Sequence, residues 1–567
     1  MKRVSLLLLL LLFSCSDCRS KTETKAAESS LTPTPDWIQG KLPASVNQGT
    51  PRAGGTLTVR VNVEPNGINR LHDRYQDGWS ARMTVGTVYE TLLELDRDDH
   101  PRYRLKPKLA ESYAISPDGL TNTVKLRRGV RFHNGESFTS RDVKAVMDAL
   151  MDEKNPTTTM RSFFVDLASY DAPDDYTFVL HWKRPYYFGF RNFATALPMM
   201  PASALKGDFD TLPIARSPIG TGPFKFQSWE TGSAITLVRN DSYWGQKASL
   251  DRIVFRIVKD ATVATQLFEH GEFDLMTGMT PSVWRSIEKP VEENQWVIDG
   301  YHRIYFVENN YAWIGWNELR PYFKEREVRR ALGMLYPADE VLQNIDLGLE
   351  IPTTCPFYLY SPNCDESVER LRYDPKAAKV LLDEAGWKDT NGDGIRDKNG
   401  VPLKFTFLLV ASSVKQSQLA PLLQEEYRKA GIELDVEKVD WAIFKDRLLA
   451  HDFDVASMIW SQLDVEQDLY QTFHSSQTSG SNYVSYNNPE VDRLLVEARA
   501  EFDPEKRAAL NRRLHRILYD DQVYTFLSVR PALDAVKVRV HGIKPSLAWY
   551  DLSKVWVSDG ANDGGAR

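Results

Sequence analysis

The stretch from Leu403 to Trp460 constrains the fold more than any other part of the chain. It reads as strand (Phe405 to Leu409), helix (about Val414 to Ala430), strand (Ile432 to Val436), short helix, strand (Val455 to Trp460). Short apolar runs of strand length alternate there with longer segments of helical period. A βαβαβ order pairs its strands in parallel, because each crossover returns the chain to the same end, and a parallel sheet has to be covered by helices. The fold class is therefore α/β. Ligands of such sheets lie beyond the carboxyl ends of the strands, so Trp460 and the loop after it are placed at a cleft.

Local signals elsewhere agree with a mixed fold. Period-two alternation at Leu57, Val59 and Val61, at Val124 and Leu126, and at Ile253, Phe255 and Ile257 predicts further strands. Thr139 is placed to cap a helix carrying Val143, Val146, Met147 and Leu150, with Asp142 completing a capping box. Three more helices are announced by a capping side chain before a first-turn proline: Asp374-Pro375, Asn488-Pro489 and Asp503-Pro504. Gly386 ends the first of them.

A chain of 567 residues exceeds one ordinary core, so two or three domains are expected. Apolar and charged fractions of 42% and 26% are those of a globular protein. A net charge of −7 without any basic run argues against a nucleic-acid surface. Lys2 and Arg3 precede an apolar stretch, Val4 to Phe13, too short to span a bilayer but suited to a signal peptide over 1–14. Leu12-Phe13-Ser14-Cys15 resembles the bacterial lipobox, which makes Cys15 the expected lipid anchor, with Cys18 as a second candidate. Residues 15–54, rich in Ser, Thr, Pro, Lys and Glu, read as a flexible tether. Cys355 and Cys364 share a Pro- and Tyr-rich loop, and export favours their pairing as a disulfide. Closing so short a loop is worth roughly 2–3 kcal/mol in the chain-entropy model. A zinc site is the weaker reading, since no CxxC or paired His accompanies them.

Several stretches resemble one family in order along nearly the whole chain. They are Leu109 to Leu120, Val124 to Gly135 and Phe138 to Val143; then Ser217-Pro-Ile-Gly-Thr-Gly-Pro-Phe224, Arg239-Asn-Asp-Ser-Tyr-Trp244 and Gly271-Glu-Phe-Asp274. Val328 to Leu332, Tyr373-Asp-Pro375, Ala385-Gly-Trp387 and Tyr486 to Asp492 follow in the same order. The chain is thereby similar to the bacterial extracellular solute-binding proteins that include oligopeptide-, dipeptide- and nickel-binding members. The resemblance implies a two-lobed periplasmic-binding-protein fold of type II with an extra subdomain. It places lobe I at 55–68, 216–308 and 526–556, the extra subdomain at 69–215, lobe II at 309–525 and a disordered tail at 557–567. Two crossing segments, near Asn309 to Trp316 and Thr525 to Pro531, would form the hinge.

The same resemblance implies a monomeric, lipid-anchored carrier at the bacterial periplasm or cell surface, without cofactor, that passes short peptides to the permease subunits of an ABC importer. Peptide-binding members clamp the ligand backbone. Met458-Ile-Trp460-Ser461-Gln462 would pair with it from one lobe, and Val63-Glu64-Pro-Asn66 would approach from the other, with Trp460 as a wall. Tyr89, Trp313 and Trp316 are further candidates for the cleft. The family's ammonium-binding aspartate follows that tryptophan closely, but Leu463 stands three residues after Trp460; Asp464, then Asp468, are the candidates in its place. That departure leaves a metal chelate, sugar or opine open as ligand, as it leaves open a sensing or chaperone role. Asp389, Asn391, Asp393 and Asp397 carry oxygens at calcium-loop spacing, with a Gly-rich exposed turn as the competing reading. No hydrolase or nucleotide-loop signature occurs; Ser412-Ser-Val-Lys415 fits S-x-x-K without companion motifs, and the chain reads as a binder, not an enzyme.

Overall fold

The computed structural model describes residues 49–99, 103–286, 297–298, 300–462, 464–547 and 549–558. The expected leader, Cys15 and nearly all of the tether lie outside the described residues. Three sheets organise the rest. Eight strands form the first, in the order 297–298, Tyr301–Val307, Pro531–Lys537, Leu275–Met276, Thr56–Val61, Arg252–Ile257, Ala234–Arg239, Phe224–Glu230. Five form the second, in the order Glu433–Val439, Lys404–Val410, Val455–Ser461, Asn310–Trp316, Tyr524–Phe526. A smaller antiparallel sheet of four takes its strands from Ala110–Ile115, Thr121–Leu126, Thr177–Trp182 and Leu167–Asp174.

The expected βαβαβ unit is present. Lys404–Val410 pairs in parallel with Glu433–Val439 along its length and with the start of Val455–Ser461. Helices Val414–Lys429 and Trp441–Leu449 make the crossovers. Capping follows the local chemistry: Thr139 and Asp142 close the reciprocal box, and Asp374, Asn488 and Asp503 each accept two backbone N–H groups ahead of a first-turn proline. At the C-terminus the ordered chain passes the expected boundary at 557. Val557 is fully buried and pairs with Val540, so that residue belongs to a strand and not to a tail.

Two of the stretches that carry the family resemblance, Ser217–Phe224 and Arg239–Trp244, meet at one buried carboxylate. Glu90 Oε2 accepts Thr221 Oγ1 at 2.8 Å and Trp244 Nε1 at 2.8 Å, its Oε1 accepts the Tyr243 hydroxyl at 2.6 Å, and Lys108 Nζ stands 3.2 Å away. Beside it the Gly220-Thr221-Gly222 turn lies backbone to backbone on Thr87 and Val88. A Cβ on Gly222 would come within 2.2 Å of the Thr87 carbonyl oxygen, which no side chain tolerates. His133 and Asn240 both donate to the Gly222 carbonyl, at 3.0 Å each. These motifs therefore tie the smaller sheet to the large one.

Two chain segments pass between the large sheets. Tyr301–Val307 of the first continues through Glu308 and Asn309 into Asn310–Trp316 of the second, and Tyr524–Phe526 of the second returns as Pro531–Lys537 of the first. They pair with each other on both sides, Val307 opposite Pro531 and Trp313 opposite Phe526. At the crossing itself the side chain of Asn310, 4% exposed, serves both backbone groups of Arg530: its Oδ1 accepts the N–H at 2.8 Å and its Nδ2 donates to the carbonyl at 2.8 Å.

Glu90→Ala removes the common acceptor of three donors and leaves the half-buried Lys108 with Glu94, 3.4 Å away, in place of two carboxylates. Chemical denaturation should show a loss of about 3 kcal/mol or more in the lobe carrying the smaller sheet, while Glu90→Gln recovers part of it.

Candidate ligand cleft at the lobe junction

The strand leading to Trp460 has one complete partner and one partial partner. Val455–Ser461 pairs with Asn310–Trp316 over all seven positions, but its ladder to Lys404–Val410 consists of Phe407 opposite Val455 and Leu408 opposite Ala456. Beyond them the sheet parts. Gln416 spans the start of the gap, its Nε2 donating to the Ser457 carbonyl at 2.7 Å and its Oε1 accepting the Val410 N–H at 2.9 Å. A cavity of about 250 Å³ opens there, walled by Val410, Lys415, Trp441, Met458, Ile459 and Arg530. It sits at the carboxyl end of Lys404–Val410, where this topology places ligands.

Charge at the cavity is concentrated around Lys415. Its ammonium lies 2.7 Å from Asp346 and 2.6 Å from Glu350, and Glu350 also accepts Arg530 Nε at 3.0 Å and the Ser528 hydroxyl. Burial, then the neighbouring Glu350, raises the Asp346 carboxyl above its ordinary range. Burial would raise Glu350 as well, but Lys415 and Arg530 outweigh it and hold that carboxyl down. Lys415, flanked by two carboxylates, is an ion-pair cation and no nucleophile's partner, so the S-x-x-K spacing is coincidental.

Trp460 stacks between Trp313, 6.2 Å away, and Tyr483, 5.7 Å away, while Trp313 in turn stacks on Tyr524 at 4.2 Å. Trp460 is half-buried within this stack; Ser461 and Gln462 after it in the chain are exposed, with the Gln462 N–H donating to the Asn309 carbonyl at 2.8 Å. On the first lobe Glu64 is fixed by the Trp229 indole at 3.0 Å and the Gly232 N–H at 3.1 Å, and Val63 and Asn66 are exposed beside it. Three other candidates are core residues. Trp316, Trp313 and Tyr89 have no exposed surface, and Trp316 donates its indole N–H to Thr525 within the second lobe's interior. Large aromatics at strand positions on the buried face of a sheet go to the core for the apolar area they remove from water.

The acidic loop after Trp460 is consumed by arginines. Asp464 receives Arg191 in a bidentate pair, both contacts 2.6 Å, with Arg191 9% exposed. Asp468 forms an ion pair with Arg499 at 3.0 Å and accepts the Tyr186 hydroxyl at 2.8 Å, and Arg499 is sandwiched between Tyr186 and Tyr470. Glu466 meets Arg507, which lies over Tyr187 at 3.7 Å. Tyr186, Tyr187 and Arg191 belong to helix Tyr187–Thr195 and its cap, beside the smaller sheet, whereas the acids belong to the second lobe. Asp464 and Asp468 thus form a charged seam between two parts of the molecule. Sequence reasoning missed Arg191, although a guanidinium inside Tyr186-Tyr-Phe-Gly-Phe-Arg-Asn-Phe193 is a charge that burial obliges to find a partner.

The calcium reading of 389–397 is corrected. Asp389 accepts the Gly392 and Gly394 N–H groups, Asn391 that of Asp393, and Asp393 that of Ile395, while Asp397 takes both the N–H and hydroxyl of Thr390. The oxygens hold the turn's own backbone. Among the described residues no cluster of three or more His, Cys, Asp or Glu side chains fit to hold a metal ion occurs. The expected disulfide is formed, Cys355 to Cys364.

A family model for bacterial extracellular solute-binding proteins, family 5, middle, matches residues 104–481, and the chain belongs to that family. It is 29% identical over 536 residues to the oligopeptide-binding protein AppA of Bacillus subtilis, covering 91% of this chain and 94% of that protein. The structure of AppA in complex with a nonapeptide matches with a TM-score of 0.79 over 90% of this chain and 100% of that one. The nickel-binding periplasmic protein of Escherichia coli is 25% identical over 457 residues, or 78% of this chain and 83% of that protein. The fold is accordingly the two-lobed, type II periplasmic-binding-protein arrangement, and the molecule is a solute-binding protein.

A double-mutant cycle on Arg191→Ala and Asp464→Ala should give a coupling energy of about 1–3 kcal/mol in equilibrium unfolding. The double substitution should cost less than the sum of the two singles, because each single leaves its partner, the buried Arg191 or the half-buried Asp464, without its counter-charge.

Proposed function

We propose that the chain captures short peptides in an extended conformation along the free edge of Val455–Ser461 and delivers them to the permease of an ABC importer. The single observation that carries this reading is the parted sheet. From Ser457 to Ser461 the strand has a ladder on one side, and on the other an open edge beside a 250 Å³ cavity. An extended peptide added to such an edge gains backbone hydrogen bonds irrespective of sequence, while alternate side chains enter the cavity or point back toward Val63, Glu64 and Asn66. Trp460 would wall the far end. AppA, bound to a nonapeptide in its structure, supports a peptide over a metal chelate.

Capture would proceed by closure of the lobes about the Asn310 crossing. In this reading lobe I comprises 55–68, 216–308 and 526–556, the extra subdomain 69–215 and lobe II 309–525. The chain acts without catalysis, as a monomer held to the outer face of a bacterial membrane by acyl groups on Cys15. No helix among the described residues is long and apolar enough to cross a membrane. Glu350, Asp346, Lys415 and Arg530 would set the polarity of the cavity, with the two cations available to a ligand carboxylate once it displaces an acid.

Native mass spectrometry of the purified chain decides the matter. A ladder of adducts that fragment into short peptides, reduced roughly tenfold in Trp460→Ala, is the expected result. A single nonpeptide adduct transfers the assignment to another ligand class. A mass that stays clean after a pool of three- to nine-residue peptides is added overturns the proposal.

A further inference from the structure

The ring closed by Cys355 and Cys364 has its base in one lobe and its tip in the other. At the base, Cys355 and Phe357 belong to the core of the second lobe, and Cys364 packs against that core. One helix, Pro504–Asp520, holds both ends. His515 accepts the Asp365 N–H on Nδ1 at 3.0 Å and donates Nε2–H to the Thr354 carbonyl at 3.0 Å. From the same helix Asn511 donates to Asn363 at 3.1 Å, Arg512 to the Pro362 carbonyl at 2.8 Å and Arg516 to the Asp365 carboxylate.

The tip behaves differently. Tyr358, 1% exposed, is a member of the core shared by the first lobe and the smaller sheet, and Tyr360 packs against that core and against the first lobe's second cluster, alongside Leu359. Tyr358 and Tyr360 meet edge to face at 5.5 Å. A buried tyrosine is thus presented by one lobe to the interior of the other, next to the returning crossing segment, whose Val529 belongs to the cluster that Leu359 and Tyr360 pack against.

We propose that the disulfide-closed ring is a clasp: it positions Tyr358 as a key in the first lobe, and the seating of that key sets how far and how readily the lobes part. The physical basis is the entropy of the segment. An open ten-residue loop anchored at its base would let its tip wander, whereas the cross-link restricts the conformations from which Tyr358 has to be recruited. Opening has to withdraw a whole phenol ring into water, so the clasp biases the ligand-free protein toward closure. The inference rests on lobe closure as the mode of capture, but its test requires no ligand.

Small-angle X-ray scattering of the ligand-free chain reads lobe separation directly. Tyr358→Ala and the double variant Cys355→Ser/Cys364→Ser should both increase the radius of gyration and retain a cooperative unfolding transition, whereas Tyr358→Phe, which keeps the ring in its slot, should keep the wild-type value. Should the cysteine variant fail to fold, the native protein reduced with a phosphine supplies the same comparison. Hydrogen exchange then serves as the second readout: residues 356–361 should lose protection about tenfold or more while helix Pro504–Asp520 keeps its own. Unchanged scattering and unchanged protection in Tyr358→Ala and in the reduced protein would overturn the clasp and leave the peptide-carrier reading untouched.

Discussion

The two large sheets are joined at a double crossing, and the crossing is held by Asn310 and Arg530. A strand ladder cannot run through a hinge, because a change of direction breaks the register, yet two backbones buried at a junction still require partners for their N–H and carbonyl groups. The carboxamide of Asn310 resolves this by acting as a short piece of backbone: one acceptor and one donor, held in a plane, meeting the donor and acceptor of Arg530. The crossing is satisfied without a continuous sheet, and the two lobes inherit a fixed pivot. Asn309, next to it, donates to the Asp464 carbonyl and accepts from Gln467, so the loop after Trp460 is registered to the same pivot.

The motifs that make the family recognisable and the residues that form the cleft are different sets with different tasks. Glu90, Thr221, Gly222, Tyr243 and Trp244 close a buried polar knot in which every donor is matched, and its value lies in docking the smaller sheet at one angle. The candidate cleft instead contains an unfinished ladder, an exposed strand end and an ion-pair cluster around Lys415. This division accounts for a family whose relatives bear the names of oligopeptide and nickel binders.

Charge is used twice in the second lobe, with opposite consequences. At the seam, each acid of the loop 464–468 is matched by an arginine, Arg191, Arg499 or Arg507, and two of these lie over tyrosine rings, Arg499 on Tyr186 and Arg507 on Tyr187. Planar guanidinium groups tolerate such partly dry surroundings better than an ammonium would. In the cavity the cation is Lys415, a compact charge shared between two carboxylates that repel one another. The seam is therefore a structural joint, and the cavity retains an electrostatic tension that a bound anion or cation can relieve.

Much of the architecture was legible in the sequence because it rests on local rules. The βαβαβ run, the capping box at Thr139, the three proline-led helices and the nearness of Cys355 to Cys364 all follow from periodicity, capping and spacing within a few tens of residues. Of the site, the sequence placed Trp460 at a strand end, and that strand end is present with Ser461 and Gln462 exposed beyond it. What only the tertiary structure decided is pairing over long separations. Asp464 and Asp468 looked like ligand acids until Arg191 and Arg499 were brought against them. Trp316 looked like a cleft residue until the second lobe closed over it, and Tyr358 gave no sign that it would be buried in the lobe opposite its own. Side-chain type states what a residue requires, a counter-charge or removal from water, but which distant partner meets that requirement is set by how the sheets are laid against one another.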